Sequence, residues 1–71
     1  MPIYVQIVNY VKAHIDDGSW PPGHRLPAER TMAADWGVAY LTIRRAMKEL
    51  RDRGLVVSVQ GRGTYIKDPR S

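Results

Sequence analysis

Seventy-one residues make one domain, residues 1–71, near the lower size at which packing alone sustains a fold. No cysteine is present, which excludes a disulfide and a thiolate metal site, and an apolar content of 44% is that of a globular chain. Charge is uneven: residues 1–35 carry three Lys/Arg against four acids, net −1, while residues 36–71 carry eight against three, net +5.

A basic half on a nearly neutral half fits a polyanion binder, although charge alone fits an ordinary solvated surface equally well. The longest apolar runs fall far short of the ~20 residues of a membrane-spanning helix. Met1-Pro2-Ile3-Tyr4 opens no signal peptide, so a cytoplasmic protein with no membrane partner is expected.

Tyr4, Ile7, Val8, Val11 and Ile15 recur at helical spacing and predict an amphipathic helix over residues 3–17. Gly18 stops it, with Pro21 and Pro22 just beyond. Gly18 to Pro27 is a connection in which Pro21-Pro22-Gly23 turns and Arg25-Leu26 adds one short strand. From Ala28 the pattern is helical again, with Met32, Ala33 and Trp36 apolar. Pro27 sits where a helix can start, and Glu29 suits the positive first turn.

Gly37-Val38-Ala39 breaks this helix, since glycine supplies the positive φ of a sharp interhelical turn. Ala33 is small enough to let the next helix cross closely. Ile43, Ala46, Met47 and Leu50 form the buried stripe of a third helix that ends near Gly54. Leu55, Val57 and Val59 then alternate as the inward face of a half-buried strand. Gln60-Gly61-Arg62-Gly63 is a turn, and Thr64-Tyr65-Ile66 the return strand. Lys67 to Ser71 shows no pattern and is expected to fray or lead elsewhere, and there is no internal repeat. The expected fold is α+β, mainly α: a winged helix-turn-helix of three helices plus a C-terminal β-hairpin wing.

On a helical wheel, Leu41, Arg45 and Lys48 lie opposite the buried stripe, flanked by Tyr40, Arg44 and Arg51. A face so rich in cations repels itself but suits a major groove, where Arg reads guanine and Lys neutralises phosphate. Asp52, near the far end of that face, is expected to point clear of the DNA. Arg62, between Gly61 and Gly63 at the hairpin tip, joins no stripe. Its glycine neighbours permit close approach to a minor groove or phosphate. The partner expected is double-stranded DNA.

Tyr4-Val5-Gln6-Ile7, Pro22 to Arg30, Gly37-Val38, Thr42 to Ala46, Gly54-Leu55-Val56 and Gly61 to Tyr65 resemble the N-terminal DNA-binding domain of GntR-family bacterial transcription regulators. The resemblance covers about Tyr4 to Ile66. It implies sequence-specific operator binding, usually repression, by a dimer on a palindrome, and it places Arg30 and Arg44 at DNA. Two departures stand out. After Gly-Val the family places Ser or Thr and then Arg, whereas this chain has Ala39 and Tyr40. A hydroxyl N-cap is missing, which weakens the helix start by about 1 kcal/mol, and the half-site need not match the family's. The family's C-terminal effector and dimerisation domain also has no counterpart in this chain. The expectation is therefore a monomer in solution that pairs on DNA, either a minimal regulator or a domain of a longer one.

Candidate DNA-binding residues are Arg30, Tyr40, Leu41, Thr42, Arg44, Arg45, Lys48, Gly61, Arg62 and Gly63. Arg45 and Lys48 are expected on phosphate. Tyr40 either packs as a helix-start aromatic or gives its hydroxyl to a phosphate. Leu41 either meets a thymine methyl or marks a slightly rotated wheel, and Thr42 either bonds phosphate or caps the helix. Trp20 and Trp36 read as core rather than stacking platforms, and His14 and His24 as solvated surface rather than metal ligands. Asp16-Asp17 has no general-acid partner, and no nucleophile–base pair or phosphate-cradling loop is present. Neither an enzyme nor a cofactor or metal is expected. The rival reading is a winged-helix protein–protein interaction module, which the exposed cations disfavour.

Overall fold

A computed structural model describes residues 1–68 of the chain. Three helices, α1 (Ile3–Asp16), α2 (Glu29–Trp36) and α3 (Tyr40–Asp52), precede the strands β1 (Val56–Val59) and β2 (Gly63–Ile66). The strands form an antiparallel hairpin in which Val56 faces Ile66 and Val59 faces Gly63.

Each helix buries the stripe its periodicity predicts. α1 turns Ile7, Val8 and Val11 inward, α2 Met32, and α3 Ile43, Ala46, Met47 and Leu50. Leu26, Val56 and Ile66 close this single core, with Tyr4, Trp20, Trp36 and Leu55 packed at its margin. Truncating one of the fully buried side chains, such as Leu50, would cost about 2–5 kcal/mol, a large part of what so small a domain possesses.

Gly37 ends α2 at φ 65°, and its amide and that of Val38 bond back to Ala34 and Ala33. This left-handed residue closes the helix and starts the crossing into α3 within three residues. The helical pattern suggests a start at Ala28, but α2 begins one residue later at Glu29, with Ala28 at the N-cap, its carbonyl accepting from the Met32 amide.

The strand prediction is corrected in its face. Val56, not the Leu55/Val57/Val59 series, is buried at 2% exposure, while Val57 and Val59 stand 37% and 42% exposed. In the hairpin, Val56 and Ile66 lie opposite each other on the face that meets α3, so Val57 and Val59 must point away. Leu55 packs at the core margin from just before the strand.

Arg25 pairs with Tyr65 as an isolated bridge, so the predicted Arg25-Leu26 strand exists in its shortest form. The Leu26 amide donates to Thr64, the Ile66 amide to His24 and the Gly23 amide to Ile66, each at 2.9 Å. The outer edge of β2 is thereby covered. Lys67 is held through its amide to Leu55, and residues 69–71 of the patternless tail lie outside the described residues.

The histidines are not solvated surface. His14 and His24 are half-buried and each stacks on Trp20, at centroid distances of 4.4 and 5.6 Å. Trp20 and Trp36 do pack on the core, but both are only half-buried, and Tyr10 meets each edge-on. The long connection brings Trp20 back to α1, where an exposed imidazole would leave the indole face wet. Asp16 pairs with Lys12, while the Ser19 hydroxyl and then its amide donate to Asp17, holding that carboxyl below its ordinary range. Both acids thus serve the end of α1.

Candidate nucleic-acid interface

α3 presents its polar side along nearly its whole length. Four of its residues, Ile43, Ala46, Met47 and Leu50, are at zero exposure, so the opposite side chains have no choice but solvent. Leu41 is 72% exposed, which shows that the wheel is not rotated. Arg44, Arg45 and Lys48 are exposed alongside it. At ~1.5 Å per residue this helix is about 20 Å long, and a helix of ordinary diameter enters a major groove about 12 Å wide.

Tyr40 organises the start of this helix. The Arg30 guanidinium of α2 lies 4.4 Å from its ring centroid, and that of Arg44, one turn along α3, lies 6.0 Å away. The ring therefore holds two guanidiniums from different helices at one end of α3, with each such contact worth roughly 0.5–1 kcal/mol at an exposed site. Tyr40 is a packed aromatic in this sense, half-buried between the helices. Thr42 is not the cap: Ala39 holds that position with no side-chain hydrogen bond, and its carbonyl accepts from the amides of Thr42 and Ile43.

Arg45 turns the other way, with its guanidinium 4.0 Å from the ring centroid of Tyr4 on α1. Pro2, Ile3, Tyr4, Leu41, Thr42 and Arg45 line a shallow groove of about 400 Å³ between the two helix starts. Sequence reasoning placed Tyr4 in the core stripe and missed this second role. Its position at the exposed end of that stripe was the available signal. Lys48 is ion-paired to Asp52 at 2.9 Å, with both side chains more than half exposed. Such a pair is worth about 0.3–0.5 kcal/mol, so a phosphate can replace the carboxylate at little cost.

The wing is tied to the recognition helix from below. Arg51 of α3 donates to the Ser58 hydroxyl at 3.1 Å, and Ser58 meets Thr64 across the hairpin at 3.3 Å. At the tip the Arg62 amide closes a turn onto Val59, with Gly61 in third place at φ 76°, where a type II turn requires glycine. Arg62 itself is exposed. The sequence-predicted residues thus fall into three groups: Arg30, Tyr40 and Arg44 together, Leu41, Thr42 and Arg45 beside Tyr4, and Gly61, Arg62 and Gly63 at the wing. Lys48 stands alone further along α3, paired with Asp52. Among the described residues no cluster of three or more His, Asp or Glu could hold a metal, and no helix is long and apolar enough to cross a membrane.

Known proteins share this fold. Residues 3–66 match the family described as bacterial regulatory proteins, gntR family. The histidine utilization repressor of Pseudomonas putida is 41% identical over 69 residues, which is 97% of this chain and 28% of the repressor. The chain thus spans little more than a quarter of the length of that relative. Among solved structures, a GntR family transcriptional regulator from Listeria monocytogenes superposes with a TM-score of 0.92 at 37% identity, covering 99% of this chain and 62% of that one. The DNA-binding domain of AraR in complex with operator ORX1 gives 0.88 at 35% identity, covering 93% and 80%. The chain belongs to the gntR family of bacterial regulatory proteins, and residues 3–66 are its winged helix-turn-helix DNA-binding domain.

Proposed function

We propose that this domain binds an operator in double-stranded DNA and represses transcription from the promoter it occludes. The observation that carries the reading is the cluster at the start of α3, where Tyr40 gathers Arg30 and Arg44 beside the exposed Leu41. α3 enters the major groove with Arg44 on a guanine edge and Leu41 against a thymine methyl. Arg30, Arg45 and Lys48 take phosphates, Thr42 adds a hydroxyl there, and Tyr40 presents its hydroxyl beside them. Gly61, Arg62 and Gly63 bring the wing to the flanking minor groove. The work is positional, in the cytoplasm, with neither an enzymatic step nor a cofactor. The free domain is a monomer that pairs on a palindrome, because DNA supplies both the two-fold axis and the local concentration.

Fluorescence anisotropy on a duplex selected by this chain from a randomised pool tests the reading. Arg30, Arg45 and Lys48 on phosphates give a slope of log affinity against log salt of about −2.7 per half-site, or a loss of about forty-fold between 50 and 200 mM. Affinity that ignored salt, or equal binding to selected and scrambled duplexes, would remove it.

A further inference from the structure

One cation outside this interface lies beside it. Arg25 precedes α2 on the connection, and the bridge to Tyr65 sets it against the outer edge of β2. On β2 the alternate residues Gly63 and Tyr65 share the face opposite the buried Ile66, and Arg25 joins them there. Its side chain runs toward the wing tip rather than away from it. A Cβ on Gly63 would lie 3.0 Å from Arg25 Nε and 3.5 Å from Nη2, so the guanidinium occupies the space a side chain would fill. Gly63 is at φ 129°, which favours glycine independently and keeps that space open. Tyr65 leans the same way, its hydroxyl donating to the Arg62 carbonyl at 3.4 Å.

The arrangement brings the Arg25 guanidinium to the residue next to Arg62, on an exposed ledge. The ion pairs among the described residues join Lys12 to Asp16, Lys48 to Asp52 and Arg53 to Glu49, and none engages Arg25. Arg25 over Gly63 and the exposed Arg62 next to it in sequence concentrate positive charge at the hairpin tip, which a polyanion neutralises. The fork of a guanidinium also matches phosphate oxygens in two directions.

We propose that Arg25 is the second cation of the wing: it contacts a backbone phosphate flanking the minor groove that Arg62 approaches, and it acts with the wing although it lies outside the hairpin in sequence. This rests on the DNA-binding reading above. Its distinct content is that the wing makes two charged contacts rather than one.

The test compares the wild-type chain, Arg25→Gln and Arg25→Lys by anisotropy in a salt series, on the selected duplex and a scrambled one. Arg25→Gln keeps the stem over Gly63 as far as the position of Nε but removes the charge. Its salt slope is expected to be shallower by about 0.9, which is about an eight-fold change in relative affinity over a ten-fold change in salt. Both duplexes are affected alike, because a phosphate contact carries no sequence information. Arg25→Lys restores the slope. Circular dichroism melts confirm that the variants fold as the wild type does. An Arg25→Gln slope equal to wild type overturns the proposal, whether affinity is unchanged or reduced, because Arg25 then at most props the wing. A wild-type chain without salt-dependent binding would instead defeat the DNA-binding reading.

Discussion

The start of the recognition helix is under-stabilised, and the shortfall can be measured. Ala39 occupies the N-cap of α3 at φ −65° and ψ 143°, the extended backbone that a capping residue adopts, but it offers no side-chain acceptor. Serine at this exposed position needs no backbone adjustment and brings an oxygen to the amide of Leu41 or Thr42. Ala39→Ser is therefore expected to stabilise the fold by about 1 kcal/mol. At ~2.1 cal/mol/K per residue, the entropy of unfolding this chain is roughly 0.15 kcal/mol/K, so the midpoint should rise by about 7 °C. Ala39→Asp should match or exceed that rise, because a carboxylate also meets the positive end of the helix. The two should part on DNA: serine leaves affinity at or above wild type, while aspartate sets an anion beside the phosphates and weakens binding at low salt. Thermal melts by circular dichroism and anisotropy on the same samples read both quantities. A serine variant melting within about 2 °C of wild type would show that the first turn of α3 is already held by its contacts with α2, contrary to the capping argument.

Three further outcomes follow from the interface. Arg44→Ala should cost about 1–3 kcal/mol on the selected duplex and relax preference at one base pair, whereas Lys48→Ala should weaken selected and scrambled duplexes alike. Equal losses for Arg44→Ala on both would place that guanidinium on the backbone. Tyr40→Arg should alter the preferred half-site in a randomised selection and also release Arg30 from the ring it now covers; an unchanged preference would make Tyr40 a spacer between the helices. In sedimentation at micromolar concentration the free chain should be monomeric, since its basic face repels a copy and one small core absorbs most of its apolar stripe. A tight dimer without DNA would point to the exposed Ile3 and Tyr10 of α1 as the missed contact.

Much of this protein was legible in one dimension. The three helices follow from apolar spacing, since Ile43, Ala46, Met47 and Leu50 can share a face only at helical pitch. Gly37 and Gly61 mark their turns because few other residues accept the positive φ found there. The outward set on α3 was then fixed by elimination: with four positions buried, Leu41, Arg44, Arg45 and Lys48 had to be exposed.

What the sequence left open depends on neighbours distant along the chain. Leu55 to Val59 contains apolar residues in both phases of a two-residue repeat, so alternation could not choose a face. The pairing of Val56 with Ile66 against α3 made that choice. The histidines carry no local mark of burial, and only the return of the Pro21-Pro22 connection to α1 stacks them on Trp20. Likewise Arg30 meets Tyr40, Arg45 meets Tyr4 and Arg25 reaches Gly63 across separate elements. Periodicity and turn chemistry are properties of a few consecutive residues, set by backbone geometry before any tertiary contact forms. Which cation lies beside which ring or glycine is decided only when the helices and hairpin close on one shared core, and no pattern along the chain encodes that proximity.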